Sequence, residues 1–430
     1  MKQLKGHWIL FIMFLSALIP AGAEVHFSGE LIPEVNLNIP QDGDYDSPLN
    51  PENSLAVKDV MFRNEINLKL DESSDTGALN LWIQLGQYPV ADMLRGSAAI
   101  LSEGNPVLTA AVADMASASQ AYIYTAEIIR ANAAWIPGKN SRLTVGRQSY
   151  LTGYGYGWNP VDLANPPKNP TDPSAYVRGV DGLTLQYNPQ SWLGIKTYGL
   201  LPSEGPGWDY DELLAGMELT LQASALEIQL SGLYGGAEQG DDPYDFYPHA
   251  GAAAVFMDIQ GVGVYGEGVV RSRSRRNSPD METGASVLKE KAVYSALLGG
   301  EYYFSSGLAA VAEYFYNGEG WDQNQREDYA SLPSDLSLYS PLYFARHYAL
   351  LNLMIPWYAR DSSFNLNMIY SPDSQALFVT PSASFNLNYE GTLVSEIGYT
   401  GMTSLDDGRK NEAWLSPVKH SIVFNLRYYF

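Results

Sequence analysis

Apolar and polar residues alternate along many short stretches of this chain. In the last ten residues, five apolar side chains stand at every second position: Ile422, Phe424, Leu426, Tyr428 and Phe430. Because successive side chains of a β-strand point to opposite faces, this spacing predicts a strand with one apolar and one mostly polar face. The same two-residue period recurs at 62–70, 364–370 and 385–389, so we expect the chain to be built from such strands.

The pattern predicts eighteen strands, joined by connections of two kinds. The predicted strands cover residues 25–37, 56–70, 78–90, 120–135, 141–150, 178–188, 192–203, 212–222, 225–235, 246–257, 261–271, 290–304, 307–317, 343–357, 363–370, 376–389, 392–401 and 418–430. Short turns alternate with mostly long loops, and 371–375 is a short connection among the long ones. Short turns opposite long loops are typical of outer-membrane barrels, whereas a soluble sandwich has no reason to sort its connections this way.

The sequence therefore predicts an all-β fold, a transmembrane antiparallel up-and-down β-barrel of about eighteen strands, with sixteen as the alternative. An even number places both chain ends on the side of the short turns, the periplasmic side. Aromatic residues lie beside those turns and are expected at that membrane rim: Trp135, Tyr187, Phe304, Trp357, Tyr389 and Phe430.

The polar faces of the strands predict a charged lumen. A barrel of eighteen strands is too wide for side chains to fill, and barrels of that size enclose an aqueous channel. By strand alternation, these charged residues face inward: Arg63, Glu65, Lys69, Arg178, Glu218, Glu227, Glu313, Glu396 and Arg427. Both signs occur, so the pattern predicts no simple charge selectivity, and the alternative is that these charges only solvate the wall.

The connection at 151–177 is long and rich in proline, and it lies on the outer side. Each proline restricts the backbone and lacks an N–H, so the segment fits neither a helix interior nor a central strand. Loops longer than about 15 residues are usually functional in ordered proteins. We predict that this loop folds inward and narrows the pore with four side chains: Trp158, Asp162, Lys168 and Asp172.

Two charges near this loop break the alternation of their strands. Arg147 would point to lipid, because Leu143 and Val145 occupy the same parity, and Asp181 has the same problem on the next strand. A bulge at Gly146 or a position above the membrane would resolve the first case. A cross-strand pair of Arg147 with Asp181 would resolve both.

The N-terminus predicts export of the chain. Lys2 and Lys5 precede an apolar run that ends at Pro20, and 21–23 read Ala-Gly-Ala, a pattern typical of a secretory signal peptide. We therefore expect residues 1–23 to be removed, and mass spectrometry of the mature protein to find Glu24 at its N-terminus. Residues 24–430 are then expected to form one barrel in the bacterial outer membrane.

Composition argues against several other classes of function. Cysteine is absent, and the formal net charge is −22, or −24 without the two lysines of the signal peptide, so we expect no nucleic-acid partner. No histidine pair has the spacing of a metal site, and no nucleophile motif occurs. We expect no enzyme activity, no catalytic residue, no metal and no cofactor. The basic segment 271–276 could bind lipopolysaccharide phosphates or an anionic solute, or could be a mobile basic loop.

Two segments resemble known families. The terminal strand, with its apolar residues at alternating positions and final Phe430, resembles the assembly signal of bacterial outer-membrane barrels, which implies the barrel-assembly machinery as a partner. The motifs at 146–148, 158–162 and 178–181 are similar to a strand-and-loop pattern of porin-like barrels, including alginate-export and related uncharacterised families. This second resemblance implies no particular substrate.

Two functional hypotheses follow. The first is an outer-membrane, porin-like channel for the passive diffusion of small polar solutes, with membrane lipid and lipopolysaccharide as its surroundings. The second is an adhesin or envelope-structure barrel whose long loops bind a partner and plug the lumen. Conductance in a planar bilayer separates the two hypotheses, because only an open lumen carries current.

Overall fold

The computed structural model describes residues 25–40, 44–47, 50–53, 56–89, 122–173, 175–201, 214–235, 249–274, 277–279, 286–288, 291–329, 342–357, 362–406, 410–416 and 418–430. Eighteen strands form one antiparallel sheet: β1 His26–Ile39, β2 Val60–Ser73, β3 Gly77–Pro89, β4 Tyr122–Gly138, β5 Ser141–Gln148, β6 Val180–Gln190, β7 Leu193–Leu201, β8 Leu214–Ala223, β9 Leu226–Tyr234, β10 Ala250–Ile259, β11 Val262–Arg271, β14 Val293–Tyr303, β15 Ala309–Tyr316, β16 His347–Trp357, β17 Ser362–Ser371, β18 Ala376–Asn386, β19 Leu393–Ser404 and β20 His420–Tyr429. The predicted signal peptide lies outside the described residues.

The sheet closes on itself, because every strand pairs with its neighbours in sequence and β1 also pairs with β20. At the seam, the N–H of Gly29 donates to the carbonyl of Phe430 at 2.9 Å, and the N–H of Phe430 donates back at 3.0 Å. The predicted barrel of eighteen strands is confirmed, and the alternative of sixteen is wrong.

The two faces of the wall follow the alternation of the sequence. Outward positions carry exposed apolar side chains such as Phe27, Phe62 and Leu298. Inward positions carry buried polar residues such as Asn67 and Asn352. All six predicted rim aromatics are exposed to the outside: Trp135, Tyr187, Phe304, Trp357, Tyr389 and Phe430. The terminal strand β20 likewise exposes Phe424, Leu426 and Tyr428, as its alternation predicted.

Small elements that the sequence did not predict lie on the side of the long loops. A short hairpin pairs β12 Asn277–Pro279 with β13 Ser286–Leu288. Two short helices, α1 Gln323–Tyr329 and α2 Glu412–Leu415, and a 3-10 turn at Pro51–Asn53 complete the described elements. Among the described residues, no helix is long and apolar enough to cross a membrane.

Candidate functional site

The connection between β5 and β6 contacts inward-facing residues far apart on the barrel wall. We call residues 151–177 the lumen loop. Its first part meets β8, β9, β11, β15 and β16, and its last part meets β17, β1 and β3. A single segment therefore spans the interior from one side of the wall to the other.

A row of wall carboxylates holds the first part of the lumen loop. Glu218 Oε2 accepts from the hydroxyl of Thr152 at 2.6 Å, and Glu227 Oε1 accepts from the hydroxyl of Tyr154 at 2.7 Å. Glu267 Oε1 accepts the backbone N–H groups of residues 154 and 155 at 2.5 and 2.7 Å. Hydrogen bonds to a charged acceptor are stronger than neutral ones, so these carboxylates position the loop backbone.

Glu313 is the most extensively bonded of these carboxylates. It accepts the backbone N–H groups of Tyr156 and Gly157, the latter at 2.8 Å, and the hydroxyl of Tyr265 at 2.7 Å. Tyr265 on β11 reaches it by lying over Gly299 on β14, where a Cβ would come within 2.3 Å of the ring. Glycine at this position therefore permits the aromatic ring to cross one strand and buttress the carboxylate on the next.

The glycines of the lumen loop are required by close approach. A Cβ at Gly155 would lie 1.8 Å from the carbonyl oxygen of Trp158. A Cβ at Gly157 would lie 2.5 Å from the side chain of Leu350 and 3.2 Å from that of Glu313. Only a residue without a side chain brings these backbone N–H groups to the wall carboxylates.

Trp158 anchors the lumen loop inside the barrel, and its predicted part in narrowing the pore stays a prediction. The side chain is fully buried, stacks on Phe315 at 5.3 Å between ring centroids, and lies 5.5 Å from the ring of Tyr348. Its indole N–H donates to the carbonyl of Leu342 at 3.1 Å. A buried tryptophan with its N–H paired supplies a large apolar contact at no polar cost.

A second apolar cluster holds the middle of the loop on a different part of the wall. Val161 and Leu163 are buried against Tyr198, Leu200 and Val269. These wall residues belong to β7 and β11, whereas Trp158 packs toward β15 and β16. The lumen loop is therefore fixed at two separated apolar patches inside the barrel.

Asp162 closes a turn of the lumen loop, and its predicted part as a pore charge stays a prediction. Its carboxylate accepts the backbone N–H groups of Ala164 and Asn165 at 3.2 and 2.9 Å and the Asn165 side-chain amide at 2.7 Å. Burial raises the pKa of the Asp162 carboxyl, and the hydrogen bonds from Asn165 oppose that shift. In turns, an aspartate side chain commonly accepts hydrogen bonds from backbone N–H groups two or three residues further along the chain.

Lys168 links two parts of the lumen loop by a hydrogen bond. Its ammonium donates to the carbonyl of Gly155 at 2.5 Å. Burial lowers the pKa of the Lys168 ammonium, and the nearby carboxylates of Glu313 and Glu267 oppose that shift. Asp172, by contrast, is exposed and is the predicted loop charge that water reaches most fully.

The far end of the lumen loop docks on the opposite wall. Tyr176 packs edge-on against Trp82, with ring centroids 4.1 Å apart, and its hydroxyl donates to Glu30 Oε1 at 2.7 Å. The ammonium of Lys69 lies 4.2 Å from the centre of the Trp82 ring and 4.9 Å from that of Tyr176. A cation over an aromatic face is attracted to the ring even at a partly exposed site, so this contact fastens the loop near β1 to β3.

Arg147 and Asp181 form a cross-strand ion pair. This pairing accounts for two charges whose place in the alternation would otherwise point them toward lipid. They are direct partners in the β5–β6 register, and two guanidinium N–H groups reach the carboxylate at 3.0 and 2.6 Å. A third Arg147 N–H donates to the carbonyl of Ile128 at 3.0 Å. Arg178 lies beside this pair, and burial lowers the pKa of its guanidinium. These arginines sit where the lumen loop leaves and rejoins the wall.

We expect Arg147→Ala to lower the free energy of unfolding by about 1–3 kcal/mol, because it leaves a largely buried carboxylate without its charged donor. Guanidinium unfolding of the barrel in lipid vesicles measures this. Arg142→Ala, on the same strand, is the control, since its guanidinium makes one long hydrogen bond among the described residues, at 3.4 Å to Thr144. Equal losses in the two variants would contradict the structural role of the pair.

The predicted inward charges of β2 lie in two ion pairs, and in each pair the basic side chain is more exposed than the acidic one. Arg63 pairs with Glu65, and Lys69 lies 3.4 Å from Glu30 Oε1. The basic side chains of Arg63 and Lys69 keep 24% and 27% of their surface exposed, whereas those of Glu65 and Glu30 keep 9% and 1%. On this part of the wall, the cations therefore reach water and the carboxylates lie beneath them.

Sequence reasoning missed several residues that hold the lumen loop. Glu267 has inward parity on β11 and could have been found by the same alternation that identified Glu313. Tyr154, Tyr176 and Trp82 gave no such signal, because an aromatic residue in a loop or on a strand does not reveal its partner.

No protein-family model and no curated protein matches the chain. Among solved structures, it is similar to OccAB1 of Acinetobacter baumannii, with a TM-score of 0.57 and 10% identity over 94% of this chain and 96% of that one. It is also similar to OccD3 of Pseudomonas aeruginosa, with a TM-score of 0.51 and 10% identity over 95% of this chain and 93% of that one. The closed barrel and these likenesses together give the chain the fold of the bacterial outer-membrane porin-like β-barrels.

Proposed function

We propose that this protein is an outer-membrane channel through which small polar solutes diffuse passively, along a lumen narrowed by the lumen loop. The observation that carries the proposal is the position of that loop, which crosses an interior lined by polar residues while packing on fixed patches of the wall. Barrels of this strand number enclose water, and an inward loop sets the narrowest section, which controls conduction.

The arrangement of charges supports a passage beside β1, β2 and β20. The carboxylates of Glu267 and Glu313 are used by the loop and are about 95% buried. On the β2 and β20 side, Lys69 and Arg427 retain partly exposed side chains, and Asp172 of the loop is exposed. Solutes in this passage would meet charges of both signs, which fits polar solutes better than apolar ones.

Purified, folded protein is expected to give stepwise current increments in a planar bilayer. Folding is checked beforehand by a heat-modifiable band on gels, and heat-unfolded protein at the same concentration is the control. Liposome swelling with sugars and amino acids of increasing size then measures the size limit. Folded protein that gives no current would contradict the channel and favour an envelope-structure or adhesin barrel with a closed lumen.

A further inference from the structure

Glu267 and Glu313 hold four successive backbone N–H groups of the lumen loop. Both carboxylates face inward, Glu267 from β11 and Glu313 from β15, and both side chains are almost fully buried. Glu267 accepts from residues 154 and 155, and Glu313 accepts from residues 156 and 157. A hydrogen bond to a charged acceptor is roughly twice as strong as one to a neutral acceptor, so the charge on these two groups helps to fix this part of the loop.

The two carboxylates differ in how their oxygen atoms are used. Oε1 of Glu313 accepts the N–H of Tyr156 and the hydroxyl of Tyr265, and its Oε2 accepts the N–H of Gly157. Oε1 of Glu267 accepts both of its N–H groups. Oε2 of Glu267 is buried and has no hydrogen-bond partner among the described residues.

This difference decides which carboxylate can bind a proton without losing a donor. A protonated carboxyl group carries an O–H on one oxygen and keeps its acceptor capacity on the other. A proton on Oε2 of Glu267 displaces no donor, whereas a proton on either oxygen of Glu313 competes with a donor that is already there. Two neighbouring buried carboxylates also repel each other, and a single proton removes that repulsion.

The charged and titratable groups around this pair come from the loop and from the neighbouring strands. Lys168 supplies one positive charge against the two carboxylates. Tyrosines of the loop and of β11 face the pair directly, and carboxylates of β9 and β14 act on those tyrosines. These groups are Tyr154, Tyr156, Tyr265, Glu227 and Glu301.

We propose that Glu267 is a proton-binding switch that releases residues 154 and 155 of the lumen loop in mildly acidic medium, while Glu313 continues to hold residues 156 and 157. The proton binds at Oε2 of Glu267. The two hydrogen bonds to Oε1 then lose the charge that strengthens them.

The switch loosens the beginning of the loop and not the whole of it. The apolar contacts of Trp158 and Val161 with the wall contain no charge, so they persist in acid. If the lumen conducts as in the proposed function, on which this last step rests, the loosened residues border its narrow section and acid is expected to make the current noisier.

The test is a pH titration of the folded barrel with isotope-labelled tyrosine, followed by NMR. Tyr154 and Tyr156 report on the two carboxylates separately, and their amide signals are assigned with Tyr154→Phe and Tyr156→Phe. From about pH 7.5 to about pH 4.5, a range in which carboxyl groups gain protons, the Tyr154 amide signal is expected to move. Its protection against hydrogen exchange is expected to fall by about tenfold, the effect of a neutral acceptor in place of a charged one. The Tyr156 amide signal is expected to stay.

Two substitutions identify the carboxylate that binds the proton. Glu267→Gln keeps an acceptor without a charge, so the Tyr154 amide is expected to show its acid position at neutral pH and no titration. Glu227→Gln is the matched control, because Glu227 accepts from the hydroxyl of the same tyrosine at 2.7 Å, and it is expected to keep the titration.

A Tyr154 amide that stays in place over this range in the wild type would overturn the proposal, even where a variant fails to fold. Movement of Tyr156 together with Tyr154, titration that survives Glu267→Gln, or its loss in Glu227→Gln would also overturn it.

Current noise in a planar bilayer separates this proposal from the channel itself. Wild-type noise should rise over the same pH range and should be high at every pH in Glu267→Gln. The NMR titration without any current would contradict the channel while supporting the proton switch. Current without the titration would contradict the switch alone.

Discussion

Replacing residues 152–176 with a short Gly-Ser linker is expected to raise the single-channel conductance by more than about twofold, because the narrowest cross-section limits the current. The deletion removes the two apolar anchors and frees Glu218, Glu267 and Glu313 to meet water. No strand residue is lost, and a shorter loop costs little chain entropy, so the barrel is expected to fold. Ion selectivity should shift toward cations as these carboxylates become exposed.

A single substitution in the lumen loop, with a matched control outside it, tests whether anchoring of the loop affects conductance. Trp158→Ala removes the buried anchor while keeping the loop, and is expected to increase current noise and raise conductance less than the deletion does. Trp192→Ala is the control, because Trp192 lies in a short turn and is 53% exposed. Unchanged conductance in a folded deletion variant would place the narrowest section elsewhere. If the deletion variant conducts and the wild type does not, the lumen loop is a plug.

The second large effect is expected at the C-terminus. Phe430→Asp should remove most of the heat-modifiable, folded protein from cells. Phe430 is exposed on the lipid face, its ring centroid lies 6.3 Å from that of Phe27, and its backbone closes the seam with Gly29. A charge near the membrane rim costs only about 0–1 kcal/mol, so lipid burial alone would not produce such a loss. We propose that the larger part comes from failed recognition by the barrel-assembly machinery, the partner that the terminal strand predicts.

The control for this variant is Phe304→Asp, which places the same charge at the same rim beside a turn that is not the terminus. It is expected to retain most of the folded band. Refolding of both purified variants into lipid vesicles, without any machinery, should give similar yields. Loss of both variants in cells to the same extent, or normal assembly of Phe430→Asp, would contradict a special role for the terminal strand.

The sequence by itself determined the wall of this barrel. Side chains of a strand alternate with period two whatever the rest of the chain does, so the positions of Phe424 and Arg63 could be assigned to opposite faces before any contact was known. The same pattern supplied the strand number, and the lengths of the connections indicated a barrel rather than a sandwich. Short helices and the hairpin β12–β13 escaped prediction because elements of three to seven residues carry too little periodic signal.

The tertiary structure alone decided what the lumen loop does at each residue. Asp162, Trp158 and Asp172 are neighbours in one proline-rich segment, yet the first closes a turn, the second is buried between Phe315 and Tyr348, and the third meets water. Strand periodicity does not extend into a loop without repeating geometry, so no pattern assigns its side chains to a face. Some partners of the loop come from strands far away in sequence, as with Glu313 and Gly157, which are 156 residues apart, and only closure of the barrel brings them together.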